Sequence, residues 1–147
     1  MAEKTQKKLR NSDLSGLVGY QIKRAYVRIH SDFRQTIAPF DLTQRTFSVL
    51  SLVSENPNVS QSAVSRELGI ERSGTVVIID HLETRGLVTR NAVITDKRAY
   101  ALRVTPAGSA LYAQALAAIR DHEARVLDDL SGDEIAQLQS LLGRVAR

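Results

Sequence analysis

The 147-residue sequence contains no cysteine and no tryptophan, and aromatic residues make up only 5% of it. The lack of cysteine excludes disulfide bonds, thiolate metal sites and thiol redox switches. The low aromatic content argues against a large sugar- or lipid-binding cleft lined by rings. No apolar stretch approaches the roughly 20 residues that cross a bilayer, and the basic start MAEKTQKKLR leads into no apolar signal-peptide core. These absences favour a cytoplasmic protein without membrane contact.

Patterns typical of catalytic and metal sites are also lacking. The sequence has neither a glycine-rich phosphate loop nor an activated-serine motif. His30, His81 and His122 fall on different predicted elements, with no carboxylate or thiol at ligand spacing. Asp128 and Asp129 are adjacent and would project at different angles from a helix, which makes them a poor acid–base pair. The sequence therefore predicts no enzyme, no cofactor and no metal.

Positive charge is unevenly distributed along the chain, whose formal net charge is +4. Residues 1–10 carry four Lys or Arg against one acid, and residues 60–105 carry seven against five, whereas residues 106–147 carry four against six. A basic region beside an acidic one is typical of a surface that meets a polyanion such as DNA. Charge alone leaves a chance asymmetry of a solvated surface equally open.

The first half of the chain has the patterning of three helices. Apolar residues spaced three and four apart predict an amphipathic helix over Leu14–Ile37, which Pro39 should end. A second helix is predicted from its cap at Thr43 to about Glu55, and a third, short one from Ser60 to Leu68. Gly69 then provides a tight turn.

The next stretch, GIERSGTVVIIDHLETRGL at 69–87, carries conflicting signals. Five β-branched residues in a row, Thr75–Ile79, favour a strand, whereas Ser73 as a cap and Gly86 as a stop favour a helix. Each β-branched residue costs a helix only roughly 0.5 kcal/mol, so packing can decide. One helical face would be apolar and point inward: Thr75, Ile78, Ile79 and Leu82.

The helices before and after Gly69 together form a helix-turn-helix candidate. Ala63 is small enough to let the second helix cross close by, and Ile70 can fill the turn. Val77 points almost opposite to the inward face of the second helix, and Val76 lies near its edge. We therefore expect both valines to face the major groove of DNA.

The second half predicts a hairpin followed by two helices. Two β-rich pieces, Leu87–Arg90 and Tyr100–Val104, are joined by a polar loop at 95–98. Thr105 and Pro106 begin a long helix whose inward residues include Leu111, Ala115, Ile119, Val126 and Leu130. A capping box, Ser131 with Glu134, opens a last helix with one apolar face: Ile135, Leu138, Leu142 and Val145.

Four segments resemble the MarR family (multiple antibiotic resistance regulators) of winged-helix transcription factors. They are DLTQRTFSVLSLV at 41–53, QSAVSRELGIERS at 61–73, DHLETRGLVTR at 80–90 and DKRAYALRVTPAG at 96–108. The wing motif is the most specific element, because few other winged helices keep its spacing between Gly86, Asp96, Arg98 and Thr105. Asp41 departs from the family's frequent glycine, and Val76 and Val77 stand where the family often has Ser or Thr and Arg.

The resemblance implies a mainly α fold with a small β-hairpin wing, a winged helix-turn-helix flanked by N- and C-terminal dimerisation helices. Residues 1–147 would form a single domain of the MarR type. Within it, 1–12 would be a basic, flexible arm, 13–39 and 106–147 the dimerisation helices, and 43–105 the winged helix-turn-helix lobe.

The resemblance also indicates which residues should meet DNA. Arg98, oriented by Asp96, should enter the minor groove, unless the two form only a surface ion pair. Backbone N–H groups at the start of the third helix could hold a phosphate, although helix capping explains the same residues. The expected contacts are Ser60, Gln61, Ser62, Arg72, Ser73, Gly74, Thr75, Val76, Val77, Asp96, Lys97 and Arg98.

Function follows as an expectation from the same resemblance: a homodimeric repressor that binds a pseudo-palindromic DNA operator. A small anionic ligand, an aromatic acid or an acyl-CoA-type thioester, would release it. The expected ligand contacts are Tyr26, His30, Phe33, Arg34, Thr46 and Phe47, with core packing as the alternative for both phenylalanines. A non-specific architectural DNA-binding protein is the alternative function; a protein-binding winged helix is less consistent with Asp96 and Arg98.

Overall fold

The fold is mainly helical with one small sheet, in a computed structural model that describes residues 11–93 and 96–146, and the side chains of these except 93 and 96–99. The order confirms the predicted winged helix-turn-helix. The elements are α1 (Ser12–Ser15), α2 (Val18–Ile37), a 3-10 turn (Ala38–Phe40), α3 (Gln44–Glu55), β1 (Val59–Ser60), α4 (Gln61–Leu68), α5 (Arg72–Thr84), β2 (Val88–Val93), β3 (Asp96–Val104), α6 (Pro106–Val126) and α7 (Gly132–Val145).

The first predicted helix is interrupted near its start. Leu17 has extended backbone angles, φ −90° and ψ 124°, and separates the one-turn α1 from α2. Gly16 precedes it, and glycine is a poor helix former because of its backbone entropy. The predicted end of this helix is confirmed: α2 ends at Ile37, and Pro39 lies in the 3-10 turn that follows, which ends at Asp41 with a left-handed φ of +52°.

The predicted helix caps are confirmed with one exception. Thr43, Ser60, Thr105 and Ser131 each accept a hydrogen bond from the backbone N–H three residues on. Ser73 was predicted to cap α5, and this is wrong. The N-cap is Glu71, whose side chain makes no capping bond, so Ser73 is already inside the helix and exposed.

The β-branched stretch Thr75–Ile79 is helical, as we predicted from the packing of its apolar face. Thr75, Ile79 and Leu82 are completely buried on one face of α5. They join the core that α3, α4 and the sheet supply, including Val49, Leu50, Val53, Val64 and Leu102. The turn before α5 is held by Gly69, with φ +62°, and by the Ser65 hydroxyl, which donates to the carbonyl of Ile70 across 2.6 Å.

The sheet has three antiparallel strands in the order β1-β3-β2. The wing, here the β2–β3 hairpin, is longer than the predicted pieces, since the strands extend to Val93 and back to Asp96. Strand β1, which was not predicted, pairs Val59 with Leu102. A Cβ at Gly108 would lie 2.0 Å from the Leu87 carbonyl oxygen, so α6 can start against the wing only with glycine there.

The outer helices leave apolar side chains uncovered in the single chain. Helix α7 buries no residue, so its predicted apolar face is largely exposed, and Leu130 lies outside α6 and is exposed. Exposed large apolar residues on these elements are Leu14, Leu17, Val18 and Ile22 near the start, and Leu138, Leu141, Leu142 and Val145 near the end. Among the described helices, none is long and apolar enough to cross a membrane.

Candidate nucleic-acid interface

The outward face of α5 carries most of the residues predicted to meet the major groove. Arg72 and Ser73 are exposed in its first turn. Val77 is 67% exposed and Val76 is 37% exposed, so both offer apolar surface on the outside of the helix. The helix therefore presents a mixed surface, polar at its start and apolar one turn later.

Two predicted contacts on α5 have structural roles instead. Thr75 is completely buried, and its hydroxyl donates to the Glu71 carbonyl across 3.2 Å. Its side chain therefore cannot reach a base, and this prediction is wrong. A Cβ at Gly74 would lie 3.2 Å from the Ile70 side chain, so this glycine allows the turn to pack closely on α5.

A cleft of about 430 Å³ lies between α4 and the start of α5, and we call it the α4–α5 cleft. It is lined by Ser62, Ser65, Arg66, Gly69, Ile70, Glu71 and Arg72. Of the predicted phosphate contacts, Ser62 is exposed, Gln61 is half-buried and Ser60 is exposed but already caps α4. Two arginines and a serine hydroxyl beside the helix-turn-helix could bind a DNA phosphate.

The wing is tied to α5 by an ion-pair network that sequence reasoning missed. Arg90 of β2 lies 2.6 Å from an Asp80 carboxylate oxygen and 2.7 Å from one of Glu83. Its backbone N–H also donates to Glu83, across 3.2 Å. The Arg90 side chain is only 16% exposed. All three residues lie in segment 80–90, and the resemblance of that segment to the MarR family was the sequence signal that could have indicated this network.

The predicted wing contacts Asp96, Lys97 and Arg98 lie outside the described side chains. Their backbone forms the first residues of β3, next to the tip of the wing, where Asp96 pairs with Val93. Of the predicted basic arm at 1–12, residues 1–10 lie outside the described residues, and Ser12 already begins α1. These positions stay predictions.

A second cleft, of about 480 Å³, lies where the end of α2 meets the start of α3, and we call it the α2–α3 cleft. Two predicted ligand residues, His30 and Arg34, line it, and Tyr26 adjoins it by stacking on His30 with ring centroids 5.0 Å apart. The remaining lining residues are Ile37, Ala38, Leu42, Thr43, Gln44 and Arg45. Arg45, which sequence reasoning missed, adds a second guanidinium.

Three other predicted ligand residues do not line this cleft. Phe33 packs edge-on against the His122 ring, with centroids 6.0 Å apart. Phe47 stacks on Tyr112 at 5.7 Å. Thr46 is 8% exposed and completes the capping box of α3 with Thr43. The two phenylalanines therefore pack against the core, which was the alternative prediction for them, and Thr46 has a capping role.

The α2–α3 cleft is connected to α5, the second helix of the helix-turn-helix, through Arg85, which follows its last residue. We call α5 the recognition helix. The Arg85 guanidinium donates to the backbone carbonyls of Asp41 and Phe40 across 2.6 and 3.0 Å. These two residues lie between Ala38 and Leu42, which line the cleft. Arg85 therefore joins the backbone beside the cleft to the C-terminal end of α5.

The buried His122 joins α6 to α2. Its Nδ1 lies 2.6 Å from an Asp32 carboxylate oxygen, and its Nε2 is buried with no hydrogen-bond partner among the described residues. The hydrogen bond with His122, aided by attraction to His122 and Arg125, lowers the pKa of Asp32 below its ordinary 3.8. In the described part of the chain, no group of three His, Cys, Asp or Glu could hold a metal ion.

Comparisons with known proteins agree with this geometry. Residues 40–99, which span α3 to the wing, match the sequence model of the MarR family. A putative transcriptional regulatory protein for the hcr operon of Thauera aromatica is 31% identical, with 89% of this chain and 87% of the relative aligned.

Solved structures of the repressor CouR are similar along nearly the whole chain. CouR bound to a 23-mer DNA duplex is 38% identical and superimposes with a TM-score of 0.90 over 95% of this chain and 99% of CouR. CouR bound to p-coumaroyl-CoA is 37% identical and superimposes with a TM-score of 0.82 over the same shares, 95% and 99%. The match to the family at residues 40–99, and identities above 30% over most of the length of these relatives, show that this chain belongs to the MarR family of transcription regulators.

Proposed function

We propose that the protein is a sequence-specific DNA-binding transcriptional repressor that a small anionic ligand releases from its operator. The observation that carries the proposal is the outward face of α5, presented beside a wing that Arg90 fixes in place. The TM-score of 0.90 to DNA-bound CouR supports it, because the arrangement of helices in this chain is close to one that holds a duplex.

DNA contact would use the first two turns of α5, the start of α4 and the wing. Arg72, Ser73, Val76 and Val77 would lie in the major groove, with Ser62 and Arg66 on the adjacent phosphates. Asp96, Lys97 and Arg98 remain the proposed wing contacts, with Arg98 entering the minor groove. The side chain of Thr75 is not part of this surface.

The active form would be a homodimer joined through its first and last helices. The uncovered apolar residues on α1, the start of α2 and α7 need a partner surface, and a second copy offers the matching one across a twofold axis. Residues 13–39 and 106–147 would then serve dimerisation and 43–105 DNA binding. A twofold dimer requires a pseudo-palindromic operator with half-sites about 10 bp apart.

The ligand would occupy the α2–α3 cleft. Arg34, Arg45 and His30 surround it with positive or protonatable groups, and Tyr26 stacks beside it. Guanidinium groups suit a carboxylate or phosphate, and a ring can pack on an aromatic acyl group. CouR, a relative at 37% identity, is bound to p-coumaroyl-CoA. An aromatic acid or its CoA thioester is therefore the proposed ligand class.

A regulator of this kind would act in the cytoplasm, where the chromosome lies, and would not be an enzyme. The second candidate is a non-specific architectural DNA-binding protein, which would use the same outward face of α5. The two differ in their preference for one sequence over bulk DNA.

Selection of duplexes from a random library by the full-length protein tests the proposal. We expect a pseudo-palindrome to emerge, bound by a dimer in sedimentation analysis, and to be released by a compound from a panel of aromatic acids and CoA thioesters. Failure to enrich any sequence would contradict the repressor proposal and favour the architectural alternative.

A further inference from the structure

We propose that Val76 and Val77 read thymine in the operator, by packing their methyl groups against the C5-methyl groups of thymine in the major groove. This inference rests on the proposed function, since it specifies what the same surface of α5 recognises. It assigns base specificity to two apolar residues at positions where polar side chains are common in the family.

The geometry places both valines where base edges would lie. Val77 follows Ser73 by four residues and Val76 follows it by three, so all three side chains share the outward face of α5. Val77 is 67% exposed and Val76 is 37% exposed, whereas the opposite face of the helix is completely buried. Most of the Val77 side chain and about a third of Val76 are therefore accessible to another molecule.

The chemistry of the major groove selects one base for such a surface. Thymine alone presents a methyl group there, while the edges of guanine, cytosine and adenine present hydrogen-bond donors and acceptors. A valine placed against a polar edge would remove water from it and offer no hydrogen bond in return. Discrimination thus has an attractive part at thymine and a repulsive part at the other bases.

The stiffness of valine helps this recognition. A β-branched side chain in a helix occupies one χ1 rotamer almost exclusively, so its methyl groups are already oriented before DNA binds. Little side-chain entropy is then lost on contact, in contrast to a long flexible arginine at the same position. The β-branched run of α5 therefore has a role beyond packing.

A nucleic acid is a better occupant of this face than a protein partner, because of the groups around it. Arg72 lies at the start of the same helix and lines the α4–α5 cleft together with Arg66; Glu71 also lines this cleft, so two cations stand against one carboxylate. The nearest carboxylate further along α5, Asp80, is paired with Arg90 at 2.6 Å. Cations at the edge of a small apolar surface match a duplex, whose phosphates flank the base methyl groups.

The test uses the full-length protein and a duplex selected by it from a random library. Each thymine of the half-sites is replaced in turn by deoxyuridine, which keeps base pairing and removes only the C5-methyl group. At the thymines facing α5, we expect affinity to fall about fourfold in one half-site and about 15-fold when both half-sites are changed, from the loss of one buried methyl contact each.

Matched variants connect this loss to the valines. Val77→Ala should bind the thymine duplex more weakly than wild type and should distinguish thymine from uracil by less than about twofold. Val77→Thr keeps the shape and one methyl group, so it should retain an intermediate preference. A 5-methylcytosine·G pair at the same position should bind wild type more tightly than an unmethylated C·G pair.

Two results would overturn the inference, and they are distinguishable. If no duplex is preferred over bulk DNA, the proposed function fails, and the thymine readout fails with it. If a duplex is selected but uracil substitution changes the affinity of wild type and Val77→Ala equally, or not at all, the repressor proposal stands and thymine recognition by these valines is wrong.

Discussion

Arg90 of the wing lies 2.6 Å from Asp80 of the recognition helix, and a second contact of 2.7 Å joins it to Glu83. This one side chain therefore ties together the wing and α5, the two elements proposed to contact DNA. It also pairs with the carboxylates of Asp80 and Glu83, which would repel DNA phosphates if they were unpaired.

Arg90→Met should weaken DNA binding by about tenfold and lower the free energy of unfolding by about 1–3 kcal/mol, because charge-assisted hydrogen bonds are lost. Fluorescence anisotropy with the selected duplex and urea unfolding measure the two effects. Arg103→Met is the control, since Arg103 lies in the same sheet but is exposed and contacts Asn58 at 2.6 Å. If Arg90→Met bound the selected duplex as tightly as wild type, Arg90 would not position the wing for DNA binding.

Arg34 and Arg45 face the same cleft, so each should contribute to ligand affinity. We expect Arg34→Ala and Arg45→Ala to lower the affinity for an active acid or thioester about tenfold or more, while their affinity for the selected duplex stays within about twofold of wild type. Calorimetry and anisotropy measure these quantities. Arg28→Ala, on the same α2 but outside the cleft lining, is the control. If Arg34→Ala and Arg45→Ala lost no more ligand affinity than Arg28→Ala, the ligand would bind outside the α2–α3 cleft.

Arg85 should transmit ligand binding to the recognition helix. A hundredfold loss of DNA affinity requires about 2.7 kcal/mol of difference in ligand binding between the two states. Arg85→Met should still bind the ligand but release DNA less effectively, because the contacts with Phe40 and Asp41 are gone. Ligand affinity measured with and without the duplex gives the coupling. An unchanged coupling in Arg85→Met would show that the signal takes another route.

Asp32 should make the stability of the protein depend on pH in the acid range. Its pKa is lowered below the ordinary 3.8, so its stabilising effect is present above that value and is lost as pH falls through the lower, folded value. Asp32→Asn should therefore reduce stability at pH 6 and flatten the loss below about pH 4. Urea unfolding across this range measures both. Asp121→Asn, an exposed aspartate of α6, should keep the slope of wild type. Parallel slopes in all three proteins would contradict this role.

The sequence predicted the features that depend on local chemistry and periodicity. The caps at Thr43, Thr105 and Ser131, the turn at Gly69 and the inward face of α5 follow from hydrogen bonding and from the 3.6-residue period. Propensity alone would have made Thr75–Ile79 a strand. Burial of one face decided otherwise, because several small propensity costs are outweighed by removing large side chains from water.

Features that depend on contacts between distant elements could not be read in this way. The pairing of Arg90 with Asp80 and the bonds from Arg85 to Asp41 depend on how α5 lies against the wing and the α2–α3 turn. No periodicity in the chain specifies these distances. The prediction for Thr75 was wrong for a different reason. Its place in the recognition helix suggested DNA contact, but its side chain lies on the buried face of that helix and cannot reach DNA.

The most direct test of the central claim is a competition measurement on the full-length protein. A labelled selected duplex is displaced by unlabelled copies of itself or by scrambled duplexes of the same composition, at two salt concentrations. A specific repressor should prefer its own sequence by about a thousandfold or more near physiological salt. The preference should fall for Val77→Ala. Equal displacement by selected and scrambled duplexes would contradict sequence-specific repression and identify the protein as a general DNA binder.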